Sequence, residues 1–308
     1  MLCSIVIPAY NEEKTIAELT RRLSFVLPPL SIDYEIIFVD DGSSDRSLDV
    51  IKELCSYDGK ICYLSFTRNF GHEAASTAGL EAARGDCIIL MDADLQDTPE
   101  LIPEMIRLWR NGYQLVYAKR RKRHGESIFK RVTAKLFYQF LNLLSDSKIP
   151  IDTGDFRLMD RAVVNDFLKC REYSRFVRGL TAWVGYRQIA VEFDRPERYA
   201  GETKYNLVKL FLLSLDVITG FSITPLRVIT AAGFVIACLS MLLTSIVVVQ
   251  KLFFNLVIPG YALLASGLFF LGGIQIFFLG LIGEYVGRIY RQVQQRPLYL
   301  LKEQNIRN

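Results

Sequence analysis

Apolar and polar positions along the chain follow two alternating periods. Short apolar runs at 4–8, 35–40, 61–66, 86–91 and 115–117 have the length of buried strands. The segments between them, 12–26, 45–57, 73–84 and 99–110, carry apolar residues at helical spacing. Strand thus alternates with helix, which predicts an α/β fold with a mostly parallel sheet and helices on both faces, because parallel neighbours need a crossover connection.

Further on the pattern changes. Over 129–144, Val132, Leu136, Phe137, Phe140, Leu141 and Leu144 recur at helical spacing with Lys130, Arg131 and Lys135 interleaved. Such a basic amphipathic helix either lies in a membrane interface or packs on the sheet, and 207–218 is a second segment of this kind. Two uncharged apolar runs follow, 228–249 and 261–282, each reaching the roughly 20 residues that a bilayer core requires. They predict a transmembrane hairpin. Arg227 precedes the first run and Arg288, Arg291 and Arg296 follow the second, whereas the connection is flanked only by Lys251. The excess of arginine puts both ends in the cytosol, making this a multi-pass inner-membrane protein with a cytosolic N-terminal domain. Residues 1–7 lead straight into a strand pattern, without the basic and apolar regions of a secretion signal. The expected organisation is a cytosolic domain over 1–206, a juxtamembrane segment over 207–226, the hairpin over 227–289 and a cytosolic tail over 290–308.

Composition agrees with this division. Of 308 residues 51% are apolar, more than a soluble enzyme needs, and the excess sits at the C-terminal end. The six cysteines show no C-x-x-C spacing and read as small core residues in a reducing compartment. Net charge is a modest +4, but Lys119, Arg120, Arg121, Lys122, Arg123 and His124 form a basic block. In a chain anchored in a membrane, such a block is directed at lipid headgroups or a lipid phosphate rather than at nucleic acid, with a plain solvated loop as the simpler alternative.

The chemistry concentrates at strand ends. Asp92-Ala93-Asp94 follows the apolar run 87–91, which places two carboxylates at the rim of the sheet, where α/β folds keep their ligand crevice. Carboxylates there are hard ligands for Mg²⁺ or Mn²⁺, whose shells are often completed by nucleotide phosphates; turn and cap chemistry is the simpler alternative. Pro8-Ala9-Tyr10-Asn11-Glu12 follows the first strand and Val39-Asp40-Asp41-Gly42 ends the second. Three acidic clusters on one sheet edge favour a nucleotide-sugar site over three unrelated turns.

These motifs, with Thr67-Arg68-Asn69-Phe70-Gly71, Gly154-Asp155-Phe156-Arg157 and Arg198-Tyr199-Ala200-Gly201-Glu202-Thr203-Lys204, resemble those of the family-2 glycosyltransferases. The resemblance is narrower to the polyprenyl-phosphate glycosyltransferases, and the ending with Gly272-Gly273 and Gly283-Glu284-Tyr285 is similar to the bacterial two-span serotype-glucosylation branch. The resemblance implies a GT-A type, nucleotide-sugar-binding fold. It implies that Pro8, Tyr10, Glu12, Val39 and Asp41 hold the nucleoside, that Asp92 and Ala93 line the sugar-diphosphate region, and that Asp94 and Gln96 ligate the metal. By the same resemblance Arg120 and Arg131 face phosphates, Arg198 and Lys204 belong to a loop closing over the donor, and Asp155 is the catalytic base, which with a phosphate acceptor either removes a residual proton or orients it; a plain salt bridge to the neighbouring Arg157 is the simpler alternative. The implied reaction is inverting transfer of a sugar, with UDP-glucose the first expectation, to undecaprenyl phosphate. Another lipid or polysaccharide acceptor, or a non-catalytic membrane scaffold, are the competing readings. Small faces at Gly267, Gly272 and Gly273 add the expectation of a homo-oligomer.

Overall fold

The computed structural model describes residues 1–121, 153–173, 175–194, 224–254 and 260–306, in which the chain forms two compact units. The first holds the N-terminal part of the chain and also the residues from Pro297 onward, while the second ends at Arg296.

In the first unit the strands are β1 (Leu2–Ala9), β2 (Asp33–Asp40), β3 (Ile61–Phe66), β4 (Cys87–Leu90), β5 (Leu115–Arg120), β6 (Thr153–Asp160), β7 (Gln188–Phe193) and β8 (Leu301–Gln304). The helices are α1 (Ile16–Val26), α2 (Ser47–Tyr57), α3 (His72–Ala82), α4 (Ile102–Arg110), α5 (Arg161–Lys169) and α6 (Val177–Trp183). The strands join one sheet in the order β7-β5-β6-β4-β1-β2-β3-β8. Strands β3, β2, β1 and β4 run parallel, as do β5 and β7, whereas β6 and β8 lie antiparallel to their neighbours.

The central strands are buried on both faces, which is why they read as near-continuous apolar runs. One face packs Cys3, Ile5, Ile7, Ile36 and Phe38 against Ile16, Leu19 and Leu23 of α1, Ile51 of α2 and Ile102, Met105 and Ile106 of α4. The other face carries α3, whose small residues allow a close approach. A Cβ on Gly79 would fall 2.2 Å from Val6 Cγ1, so only glycine fits between this helix and β1. Asp160 closes β6 and caps α5, its Oδ1 accepting from Ala162 N at 2.8 Å.

Several elements depart from the sequence expectation. The first helix starts at Ile16 rather than residue 12, because 10–15 form a loop in which Asn11 takes φ +58°. Pro99–Leu101 is a 3₁₀ turn ahead of α4. The expectation of a tail over 290–308 missed β8, which pairs with β3. In the second unit the helices are α7 (Thr224–Phe254) and α8 (Tyr261–Val293), both longer than the expected spans. Among the described residues, Phe270–Val293 is long and apolar enough to cross a membrane by length and composition. The amphipathic segments expected at 129–144 and 207–218 lie outside the described residues.

Candidate active site

Parallel pairing puts the ends of β1, β2 and β4 on one edge, with Ala9 opposite Asp40 and Val6 opposite Leu90. The loops leaving that edge are stitched together. Asn11 N donates to Ser43 Oγ at 3.0 Å and Ser44 N to Asn11 Oδ1 at 2.8 Å, while Glu12 N reaches Ser47 Oγ at 2.7 Å. These bonds hold Tyr10 with its ring exposed beside the buried Pro8 and Val39. Burial raises the Glu12 carboxyl against the opposing Thr15 hydrogen bond, and Asp94, Asp92 and Asp45 push it the same way.

Asp41 is buried, and its two carboxylate oxygens accept from Phe70 N at 2.7 Å and Gly71 N at 2.9 Å. It therefore anchors the loop that launches α3. Gly42 takes φ +67°, and a Cβ there would meet the Arg68 backbone at 2.4 Å, so glycine is required at this crossing.

The Asp92-Ala93-Asp94 segment leaves β4 in a tight loop. Asp97 Oδ2 accepts from Asp92 N at 2.9 Å, Asp94 Oδ1 accepts from Gln96 N at 3.0 Å, and Leu95 is held at φ +61°, a strained conformation for a leucine. Gln96 is buried, and its Oε1 has no hydrogen-bond partner. A buried carbonyl oxygen left without a donor, two residues along the same tight loop from the Asp94 carboxylate, fits a hard divalent cation such as Mg²⁺ or Mn²⁺.

Antiparallel pairing of β6 on β4 sets Leu90 opposite Arg157, which brings Asp155 level with Asp92. The carboxylate of Asp155 does not pair with Arg157. That guanidinium donates instead to the backbone oxygens of Asp155, at 3.2 Å, and Gly154, at 2.9 Å, and to the Thr181 hydroxyl. Oδ1 of Asp155 lies 3.0 Å from Arg178 Nε and Oδ2 lies 3.4 Å from His72 Nε2, which is also 3.7 Å from Asp92 Oδ1. Burial alone would raise the Asp155 carboxyl, but the His72 hydrogen bond and the charges of Arg178 and Arg157 prevail and hold it well below the usual carboxylate range. Burial likewise works to lower His72, yet Asp155, Asp92 and Glu73 push it up to about 9. Burial raises Asp92, with Asp155 and Asp94 adding to it and His72 and Arg178 opposing. The ligand atoms of His72, Asp92 and Asp155 lie within 4.8 Å of one another, a second donor set able to close on a cation.

The family model for glycosyl transferase family 2 matches residues 4–168, spanning every strand-end motif named above except the loop at 198–204. The chain belongs to glycosyl transferase family 2. A second model, a GtrB C-terminal hairpin, matches residues 224–289 and thus α7 with most of α8. The protein is a glycosyltransferase with a mixed, mostly parallel GT-A fold. It is 48% identical to an uncharacterized glycosyltransferase of Synechocystis sp. (strain ATCC 27184 / PCC 6803 / Kazusa), covering 97% of this chain and 94% of that one. It is 41% identical to the prophage bactoprenol glucosyl transferase homolog of Escherichia coli (strain K12), covering 98% and 99%. The bactoprenol glucosyl transferase of Shigella phage SfII is also 41% identical, with 98% of each chain covered. Solved structures match more loosely. Glucosyl-3-phosphoglycerate synthase from Mycobacterium tuberculosis in complex with Mn²⁺ and UDP-glucose gives a TM-score of 0.47 at 23% identity over 71% and 77% of the two chains, too distant to carry more.

The structure thus brings Pro8, Tyr10, Glu12, Val39, Asp41, Asp92, Ala93, Asp94, Gln96 and Asp155 to one edge of the sheet. Arg120 ends β5 opposite Phe193. Of the basic block, Lys119 and Arg121 face Glu192 at 3.7 Å and Arg121 faces Asp194 at 3.6 Å, exposed pairs of small energetic value. Arg131, Arg198 and Lys204 lie outside the described residues. Sequence reasoning missed His72 and Arg178. A histidine opening the helix after β3, on the edge that holds the acidic clusters, was a usable signal; Arg178 had none, since only the packing of α6 against β6 brings it to Asp155.

Proposed function

We propose that the protein transfers glucose from UDP-glucose to undecaprenyl phosphate, with inversion, at the cytosolic face of the membrane. The observation that carries this reading is the full-length similarity to bactoprenol glucosyl transferases, which takes in both the sheet-edge site and the hairpin.

In this mechanism the Tyr10 ring and the Asp41 loop hold the nucleoside, while Asp92 and Ala93 border the sugar and diphosphate. Asp94 and Gln96 would hold a divalent cation, which when bound would supply charge stabilisation for the departing diphosphate. The acceptor's phosphate oxygen forms a bond to the anomeric carbon as the bond from that carbon to the diphosphate oxygen breaks, the electron pair leaving with UDP. A phosphate monoester has a second pKa near about 6, so at neutral pH the nucleophile is already mostly a dianion. Asp155, paired with two cations, is a weak proton acceptor, and it acts by orientation rather than as the base.

Two features support the cytosolic placement. The chain returns from the hairpin to the first unit, where β8 pairs with β3, so an even number of crossings is required. The arginines also flank the outer ends of the hairpin. Open space around Gly267, Gly272 and Gly273 supports close packing against a second copy.

The test is mass spectrometry of the lipid extract after detergent-purified protein meets undecaprenyl phosphate, Mg²⁺ and a panel of UDP- and GDP-sugars, with Asp94→Ala as control. A glucosyl lipid of inverted anomeric configuration, formed only by the unmutated protein and only from UDP-glucose, is the expected outcome. A product that retains configuration sinks the single displacement, and a product on another lipid sinks the acceptor.

A further inference from the structure

The loop between β3 and α3 is tied to two parts of the chain. Phe70 N and Gly71 N donate to the buried Asp41 carboxylate, and the Arg68 backbone crosses tightly against Gly42. The same loop also rests on the chain's last residues. Thr67 N donates to Leu300 O at 3.0 Å, and the Tyr299 ring stacks on Phe66 with centroids 4.8 Å apart. Phe66 in turn meets Phe70 edge to face at 5.7 Å, and the Arg68 guanidinium covers the Phe70 ring at 4.0 Å. A line of contacts thus runs from Tyr299 through Phe66 and Phe70 to Asp41. We infer that Tyr299 is a positioning residue for the donor nucleoside, holding the 67–71 loop in its binding form through this line. The inference rests on the reading of the Asp41 loop as the nucleoside wall of a UDP-sugar transferase.

Three observations give the C-terminal segment this role rather than that of a plain edge. It pairs with Leu64, Ser65 and Phe66, the end of β3 that lies level with Asp40, and the register shifts between Ser65 and Phe66. Bulges of this kind re-aim side chains next to active sites. The loop itself has little to hold it, because Thr67, Arg68 and Asn69 are exposed and the Arg68 side chain bonds only within the loop, to Asn69 O at 3.0 Å. Tyr299, by contrast, is fixed independently. Its hydroxyl donates to Glu81 of α3 at 2.5 Å, and further along β8 Lys52 of α2 donates to Glu303 at 2.8 Å. A ring held in this way keeps the loop ordered before the donor arrives. Without it, UDP has to order the loop on binding, and the lost equilibrium constant appears in its affinity.

The experiment uses the full chain in detergent and compares Tyr299→Leu, Tyr299→Phe, Phe70→Leu and Glu303→Gln. It reads UDP affinity by calorimetry with Mn²⁺, KM for UDP-glucose against kcat, and amide hydrogen exchange without ligand. Loss of the stack in Tyr299→Leu should weaken UDP binding and raise KM about 3–10-fold, with kcat within about twofold, since only binding common to ground and transition states is lost. Exchange should quicken at 67–71 and not in β1 or β4, which also shows that the variant folds. Tyr299→Phe keeps the ring and should stay within about twofold, as should Glu303→Gln. Phe70→Leu breaks the line without touching β8 and should give a similar loss, with the double variant no worse than either single one. Unchanged UDP affinity in Tyr299→Leu, or losses that add in the double variant, overturn the role of Tyr299 alone. Faster exchange throughout the sheet with a fall in kcat overturns it in favour of general stability, and an equal loss in Tyr299→Phe in favour of the Glu81 bond. No UDP binding by the unmutated protein overturns the nucleoside reading of Asp41 and the inference with it.

Discussion

Replacing Gly79 by alanine should loosen the first unit and misplace His72. The new Cβ would sit 2.2 Å from Val6 Cγ1 and 3.1 Å from Val39 Cγ2, where carbon atoms ordinarily rest at about 3.5–4.0 Å. Both valines are fully buried and β-branched, so neither rotates away cheaply. Overpacking of this kind costs about 1–3 kcal/mol, and alanine returns about 1 kcal/mol of helix propensity. The net expectation is a loss of up to about 2 kcal/mol, or a fall in Tm of up to about 4–8 °C for a unit of this size. Tryptophan fluorescence is a clean reporter, because Trp109 and Trp183 are the chain's two tryptophans and both lie in the first unit. Truncating Val6 to alanine should restore much of the loss in the Gly79→Ala background, although it costs stability on its own. Since α3 starts at His72, lifting the helix should also reduce transfer. A Gly79→Ala protein with a higher Tm, or a double variant whose losses simply add, would refute the packing argument.

Two further outcomes are expected. Gln96→Leu removes a buried carbonyl without a partner, so the metal-free protein should unfold at the same or a slightly higher temperature, while Mn²⁺-dependent UDP-glucose binding weakens about 10-fold; equal weakening with and without Mn²⁺ would remove Gln96 from the metal site. The raised pKa of His72 means that its pairing stabilises the fold fully below pH 6.5 and that this contribution fades as pH rises through about 9. With the side chain 42% exposed, solvent screening limits the effect to about 1 kcal/mol. The Tm gap between the unmutated protein and His72→Gln should therefore shrink across that window, and a gap constant with pH would show that the ion pair is not its source.

What could be read from the sequence was whatever local pattern determines. Strands β1 to β4 are buried on both faces and so are written as apolar runs, and their parallel order follows from the intervening helices. The acidic clusters at their ends were legible for the same reason, because parallel strands deliver their ends to one edge. Strand β6 was harder to see. Its buried Asp155 and Arg157 look like surface residues until their partners on α3 and α6 and in the β6 backbone are known. Strand β8, Leu-Lys-Glu-Gln, has no apolar face and is defined by its neighbour, with Thr67 N donating to Leu300 O and Asn305 N to Tyr63 O. Arg178 belongs to the same class, a residue whose role exists only after the helices have packed.

Strand β8 also changes what surrounds β3. The Tyr299 ring stacks on Phe66 with centroids 4.8 Å apart, its hydroxyl reaches Glu81, and Lys52 pairs with Glu303 at 2.8 Å. The chain's own last residues thus occupy hydrogen-bonding groups of β3 that an open edge would offer to any neighbouring chain. For proteins crowded in two dimensions, encounters between like edges are frequent, and a self-supplied border strand removes one route to irreversible stacking.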